Sequence, residues 1–224
     1  MRHSINKKIF LYFLILILFA SINNKNFLNS KILKLKDFSV FGLSEEENYD
    51  LKSKFINFEN QNIFFVDSHE IKKILDSDNL IETYNVLKIY PSKINIQIKK
   101  TKFIANTSFD SKNFFIGSNK KYIQSDFINP DLPFIFGKPS VEDFFDIKKK
   151  IEISLFNFFD IKKFYFLPSK RWNIELKNGV LIKLPELNSL KSLNDIFEIV
   201  NSDKFNKVKV FDLRINGQVI TNEL

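Results

Sequence analysis

Residues 9–22, IFLYFLILILFASI, carry no charged side chain, and this run limits what the chain can fold into more than any other feature. A segment apolar on every side has no face for water, so it must enter a bilayer or be removed during export. At about 1.5 Å of rise per residue it reaches roughly 21 Å, short of the ~30 Å hydrocarbon core, so Lys7, Lys8 and Lys25 are expected to snorkel or the bilayer to thin. That length also suits the apolar region of a signal peptide. A small-residue cleavage site is missing, however, because Leu18 stands two residues before Ala20 and Ala20-Ser21 runs into Ile22. The reading is an uncleaved transmembrane helix over 9–22. Arg2, Lys7 and Lys8 make residues 1–8 a cytoplasmic tail, which leaves 23–30 as a linker and the remainder outside the cytoplasm.

Composition narrows the function classes. The net charge of +8 invites a nucleic-acid reading, yet the lysines are scattered and the densest groups, Lys148–Lys150 and Lys162–Lys163, flank apolar positions as solvated faces do. No nucleic-acid partner is expected. Without cysteine there is no disulfide framework, thiolate nucleophile or cysteine-based zinc site. The 27 phenylalanines accompany abundant Asn, Lys and Ile and few Gly, so they reflect compositional drift and not an aromatic cage.

Beyond the linker the patterning is α+β. KILKLKDFSVFGL (31–43) reads as a first strand ending at a turn. Ser44 and Glu47 are spaced as a capping box for a helix carrying Leu51, Phe55 and Phe58; Asp67 caps a second, with Ile71, Ile74 and Leu75 on one face. ETYNVLKIY and SKINIQIKK follow as strands broken by Pro91. In the second strand Ile94, Ile96 and Ile98 alternate with Lys93, Asn95, Gln97 and Lys99, which predicts one face on a core and the other in water.

From Phe103 strands dominate. NFFIGSNKKYI reads as a hairpin and LPFIFGKP as a short strand. Ser140 opens a helix whose apolar positions run through Val141, Phe144, Phe145, Ile151, Leu155 and Phe159. In RWNIELKNGVLIKLP, a three-residue loop at 177–179 sets Leu176 against Val180, Ile174 against Ile182 and Trp172 against Leu184. Shifting by one would move the apolar set to the wrong face. A helix follows with Leu190, Leu193, Ile196, Phe197 and Val200. Asn216-Gly217 marks a final hairpin of undecided loop length.

Residues for catalysis are not found. The only histidines are His3, ahead of the apolar run, and His69, in the first turn of a helix. Glu142, Asp143 and Asp146 sit at a helix start, where carboxylates favour the dipole. No catalytic, cofactor-binding or metal-binding residue is assigned, and no cofactor is expected.

VFGLS, NIFFVD, VLKIYPSKINIQIKKTKFIA, LPFIFG, RWNIELKNGVLIKLP and VFDLR occur in the order seen in the FtsQ/DivIB family of bacterial cell-division proteins, which the chain resembles from its apolar segment almost to its end. The resemblance implies a POTRA domain over 31–102 (β-α-α-β-β) and a mainly antiparallel FtsQ-type β domain with packed helices over 103–224. It implies a single-pass type II inner-membrane protein at the septum, with a periplasmic bulk and no enzymatic activity. Such a protein holds the divisome together, contributes to control of septal peptidoglycan synthesis, binds the coiled-coil proteins FtsB and FtsL, and meets other division proteins through its POTRA domain. By similarity the contact region falls on Arg214, Ile215, Gly217, Gln218, Val219 and Ile220, with Arg171 and Trp172 on the neighbouring hairpin. The alternative is a POTRA-bearing envelope assembly or secretion factor; a third reading is an envelope hydrolase. An outer-membrane assembly protein would need repeated amphipathic barrel strands, against which the helices at 140–159 and 189–201 argue.

Overall fold

The computed structural model describes residues 7–22, 31–215 and 217–223; the tail residues 1–6, the linker 23–30, Asn216 and Leu224 lie outside the described residues. The apolar run is helical as α1 (Lys7–Ile22), but its 16 residues reach only about 24 Å. No helix among the described residues is long and apolar enough to cross a membrane, so the transmembrane helix expected over 9–22 is not met at spanning length. The shortfall is one of length: the side chains of 7–20 are uniformly exposed and, from Ile9 on, uncharged.

The rest divides into two compact units between Lys100 and Thr101. The first contains β1 (Asp37–Phe41), α2 (Glu45–Ser53), α3 (Ser68–Ser77), β2 (Ile81–Ile89) and β3 (Lys93–Lys100). Its sheet has the order β1-β3-β2, with β3 parallel to β1 and antiparallel to β2. The first strand is shorter than 31–43 because the chain before it pairs elsewhere. Leu35 N donates to Gln61 O (2.8 Å) and Ile63 N to Leu33 O (2.9 Å), and the side chains of Leu33 and Leu35 are buried, Leu35 in the core of this unit.

Alternation in β3 does what its spacing dictates: Ile94, Ile96 and Ile98 are buried while Lys93, Gln97 and Lys99 are exposed. Each isoleucine contributes roughly 1.5–3 kcal/mol by leaving water. They pack with Phe38 of β1, Leu51 and Phe55 near α2, and Ile71 and Leu75 of α3. Phe38 stacks on Phe55 at 5.0 Å between centroids. Gly42 closes β1 at φ +111°, where a Cβ would lie 1.8 Å from the Ile98 carbonyl oxygen, so only glycine fits that turn.

The predicted capping box is formed. Ser44 Oγ accepts the Glu47 amide and Glu47 Oε2 accepts the Ser44 amide, and Glu47 also holds Lys100 Nζ. Ser44→Ala is expected to lower stability by about 1 kcal/mol, the usual loss when a helix N-terminal donor is left without its cap. A urea midpoint moved by less than a fifth of that amount would contradict it.

The second unit is a nine-stranded sheet of order β12-β11-β10-β9-β8-β7-β4-β5-β6. Its strands are β4 (Phe103–Phe109), β5 (Lys112–Gly117), β6 (Tyr122–Ser125), β7 (Phe134–Phe136), β8 (Ile161–Phe166), β9 (Trp172–Leu176), β10 (Leu181–Lys183), β11 (Val208–Asp212) and β12 (Ile220–Glu223). The sheet is mainly antiparallel, as expected, with five of its eight strand pairs antiparallel, but three pairs are parallel. β7 is parallel to β4 and β8, and β10 is parallel to β11. Two of these parallel pairs have one cause: α4 (Val141–Ile153) connects β7 to β8 and α5 (Ser189–Val200) connects β10 to β11. A helical crossover returns the chain in the same direction.

A cross-strand row defines the core. Ile135, Phe164, Ile174, Ile182 and Phe211 stand opposite one another from β7 to β11, none more than 1% exposed, beneath Phe144, Ile147, Leu193 and Ile196 of the helices. The β9–β10 register is the one the three-residue loop predicts, with Ile174 opposite Ile182 and Gly179 at φ +87°. The helix expected to run on to Phe159 stops at Ile153. Ser154 is extended, and the chain then turns so that Phe156 and Phe158 enter the core while Leu155 and Phe159 stay exposed.

Candidate functional site

The apolar row running across the sheet ends in Thr221 of β12, which pairs with Phe211. β12 is the last strand of the sheet and is hydrogen-bonded only to β11 among the described residues. Its outer margin therefore carries backbone N–H and C=O groups without a strand partner, the feature that makes an edge strand a template for another chain.

How β12 comes to lie there follows from loop 213–219. Leu213 N donates to Lys183 O (2.9 Å), which carries the β10–β11 ladder one residue further and buries the Leu213 side chain. The chain then leaves the sheet, Gln218 N donates to Ile215 O (3.2 Å), and Gly217 takes φ +74°. The hairpin loop is longer than an Asn-Gly two-residue turn. Val219 consequently precedes the strand, whereas Ile220 begins it opposite Asp212.

Asp212 fixes the start of this loop. Its carboxylate accepts the Arg214 amide (3.2 Å) and both oxygens accept Arg214 Nε (2.8 and 3.0 Å), with Lys183 Nζ at 3.9 Å. The hydrogen bond from Arg214 holds the Asp212 carboxyl below the usual range against the opposing effect of burial, and the same contact raises the pKa of Arg214. A lowered folded-state pKa stabilises above the unfolded value, and that gain is lost as pH falls through the folded one. Asp212→Asn is thus expected to destabilise the protein by a constant amount above about pH 5, with the gap to the parent chain closing below about pH 4. Parallel urea midpoints from pH 7 down to pH 2 would contradict it.

Beside the loop lies a groove of about 730 Å³. It brings together Arg171, Arg214, Ile215, Gly217, Gln218 and Val219. Ile220 lies outside the groove, on the sheet face turned away from the helices. Trp172 does not line the groove: it is 8% exposed, its ring set against Phe164 and Phe166 at 5.9 and 4.8 Å, so its side chain belongs to the core. Arg171 is half-buried and its Nε donates to Ser169 Oγ at 2.9 Å. Ile215, Val219 and Ile220 are 51%, 41% and 48% exposed, so none of the three belongs to the core.

No family model and no curated protein matches the chain. Among solved structures, the major extracytoplasmic domain of the trans isomer of the bacterial cell-division protein DivIB from Geobacillus stearothermophilus aligns over 47% of this chain and 98% of that one, at 10% identity and a TM-score of 0.33.

Sequence reasoning missed the far wall of the groove, where Leu187, Lys191, Asp195 and Ile199 contribute from α5 and the segment before it. The available signal was Leu187, an apolar residue in a proline-bounded connection, which is 76% exposed. The carboxylates of α4 have structural tasks: Asp143 completes a second capping box with Ser140, and Asp146 pairs with Lys150 at 2.7 Å. His69 is exposed on α3.

Proposed function

We propose that the protein is a non-enzymatic scaffold of the bacterial cell-division complex that recruits a partner by adding the partner's extended segment to the open margin of β12. The observation that carries this reading is β12 itself, paired on one side only and flanked by the exposed Ile215, Val219 and Ile220. Strand addition draws affinity from main-chain hydrogen bonds and selectivity from alternate side chains, and this margin offers both. The family-like stretches from VFGLS to VFDLR support a POTRA domain in the first unit, whose elements follow the order β-α-α-β-β, and an FtsQ-type β domain in the second. They also support FtsB and FtsL as the partners and a septal, periplasmic placement. In this reading α1 tethers the chain to the inner membrane, with Lys7 and Lys8 reaching back to the headgroups.

Affinity capture from detergent-solubilised membranes is the test. Recovery of FtsB and FtsL is expected with the full chain and not with a chain ending at Arg214. Equal recovery by both would overturn the assignment.

A further inference from the structure

One end of the first unit gathers apolar side chains that its core does not use. Loop 61–66 is held beside the β2–β3 turn because Lys88 Nζ donates to the carbonyls of Ile63 (3.1 Å) and Val66 (2.9 Å). This leaves Phe64 stacked on Tyr90 at 4.9 Å, both rings more than half exposed. Phe65 (68% exposed), Ile32 (66%) and Ile89 (47%) stand at the same end, since Lys34 bridges to Asn62 and Ile89 pairs with Lys93.

The charge at this end has one dominant sign. Lys31, Lys34, Lys36 and Lys93 all belong to it, with Lys36 N donating to Ser92 O at 2.9 Å. Of the nearby acids, Asp37 is paired with Lys52 at 2.8 Å and Asp67 accepts the His69 amide; Glu59 is exposed. Aromatic and aliphatic tips ringed by lysines match a bilayer interface, where rings settle at headgroup level and ammonium groups meet anionic phosphates. The chain adds a second argument. Only residues 23–30 separate the apolar helix α1 from Lys31, so whatever their path Lys31 stays within about 32 Å of Ile22.

We propose that this end of the first unit docks on the surface of an anionic lipid bilayer and so sets the orientation in which the unit stands. The inference rests on the reading of α1 as the membrane tether.

The full chain has no cysteine, so Phe65→Cys, and independently Ile32→Cys, carries a single environment-sensitive label, with Glu46→Cys on α2 as the distant control. The proteins are reconstituted into vesicles of phosphatidylcholine alone or with phosphatidylglycerol, and quenching by headgroup-spin-labelled lipid is measured. Labels at 65 and 32 are expected to be quenched in anionic vesicles and the label at 46 not. Lys31→Glu with Lys34→Glu should reduce the docked population by at least roughly tenfold, since each lysine near an anionic surface is worth about a factor of five. Failure to float with either vesicle overturns the tether and the docking together. Extraction-resistant flotation with no quenching at 65 or 32 overturns the docking alone. Protection of these labels from iodide in detergent, where no bilayer exists, assigns the patch to protein contact and also overturns it.

Discussion

Val219→Lys is expected to cut recovery of the proposed partner FtsB by about 100-fold while leaving the protein folded. A strand adding to β12 must pass beside Val219, and an ammonium placed there would have to shed its water without an anion to replace it, a loss of about 3 kcal/mol or more for an unpaired charge at an interface. In the free protein the substitution is nearly silent. Val219 lies in loop 213–219, 41% exposed, where a charge stays hydrated and stability changes by no more than about 0.5 kcal/mol. Val219→Ala serves as the control, since it trims contact area without adding charge. Unchanged co-purification of FtsB with Val219→Lys would remove this residue from the docking surface.

Phe164→Ala is expected to have the largest effect on stability, about 4 kcal/mol lost. Phe164 is fully buried at the centre of the cross-strand row and meets Phe144, Phe158 and Trp172 at 5.7, 5.9 and 5.9 Å between ring centroids, so its removal leaves a hole that neighbours on three elements cannot close. Trp172, the only tryptophan, sits in this core and reports its unfolding by fluorescence. The first unit has a separate core, so its transition should not move. A Trp172 urea midpoint shifted by under about 1 kcal/mol, or an equal shift in both units, would show that the row does not hold the second unit together.

What the sequence made legible was local. The alternation of Ile94, Ile96 and Ile98, the Ser44–Glu47 capping box and the register of Ile174 against Ile182 each depend on residues close in the chain and on one buried face. What it hid was set by distant partners. The parallel pairing of β10 with β11 depends on α5 carrying the chain back across the sheet, and no period within either strand encodes it. The apolar spacing through Leu155 and Phe159 looked like more helix, but Phe156 and Phe158 fill the core under α4 better, and Ser154 lets the chain turn to place them.

The contact region was partly legible for the same reason. Asn216-Gly217 signals a turn and hence a strand after it, and that strand is the edge strand β12. Trp172 could not be excluded, because a tryptophan beside an arginine reads equally as an anchor or as a core residue until Phe164 and Phe166 are seen to enclose it. Of the groove wall from α5 only Leu187 gave a signal, as an apolar residue in a connection, because no local period shows that 187–199 faces the loop after β11.

Amide hydrogen exchange over 217–223, with and without the extracytoplasmic segment of FtsB, tests the docking margin most directly. In the free protein, amides of β12 that face away from β11 are expected to exchange far faster than those of β10 and β11, and to slow at least about tenfold on mixing. Exchange at those positions that is already as slow as in β10 without the partner, or that does not change on mixing, would contradict the proposed role.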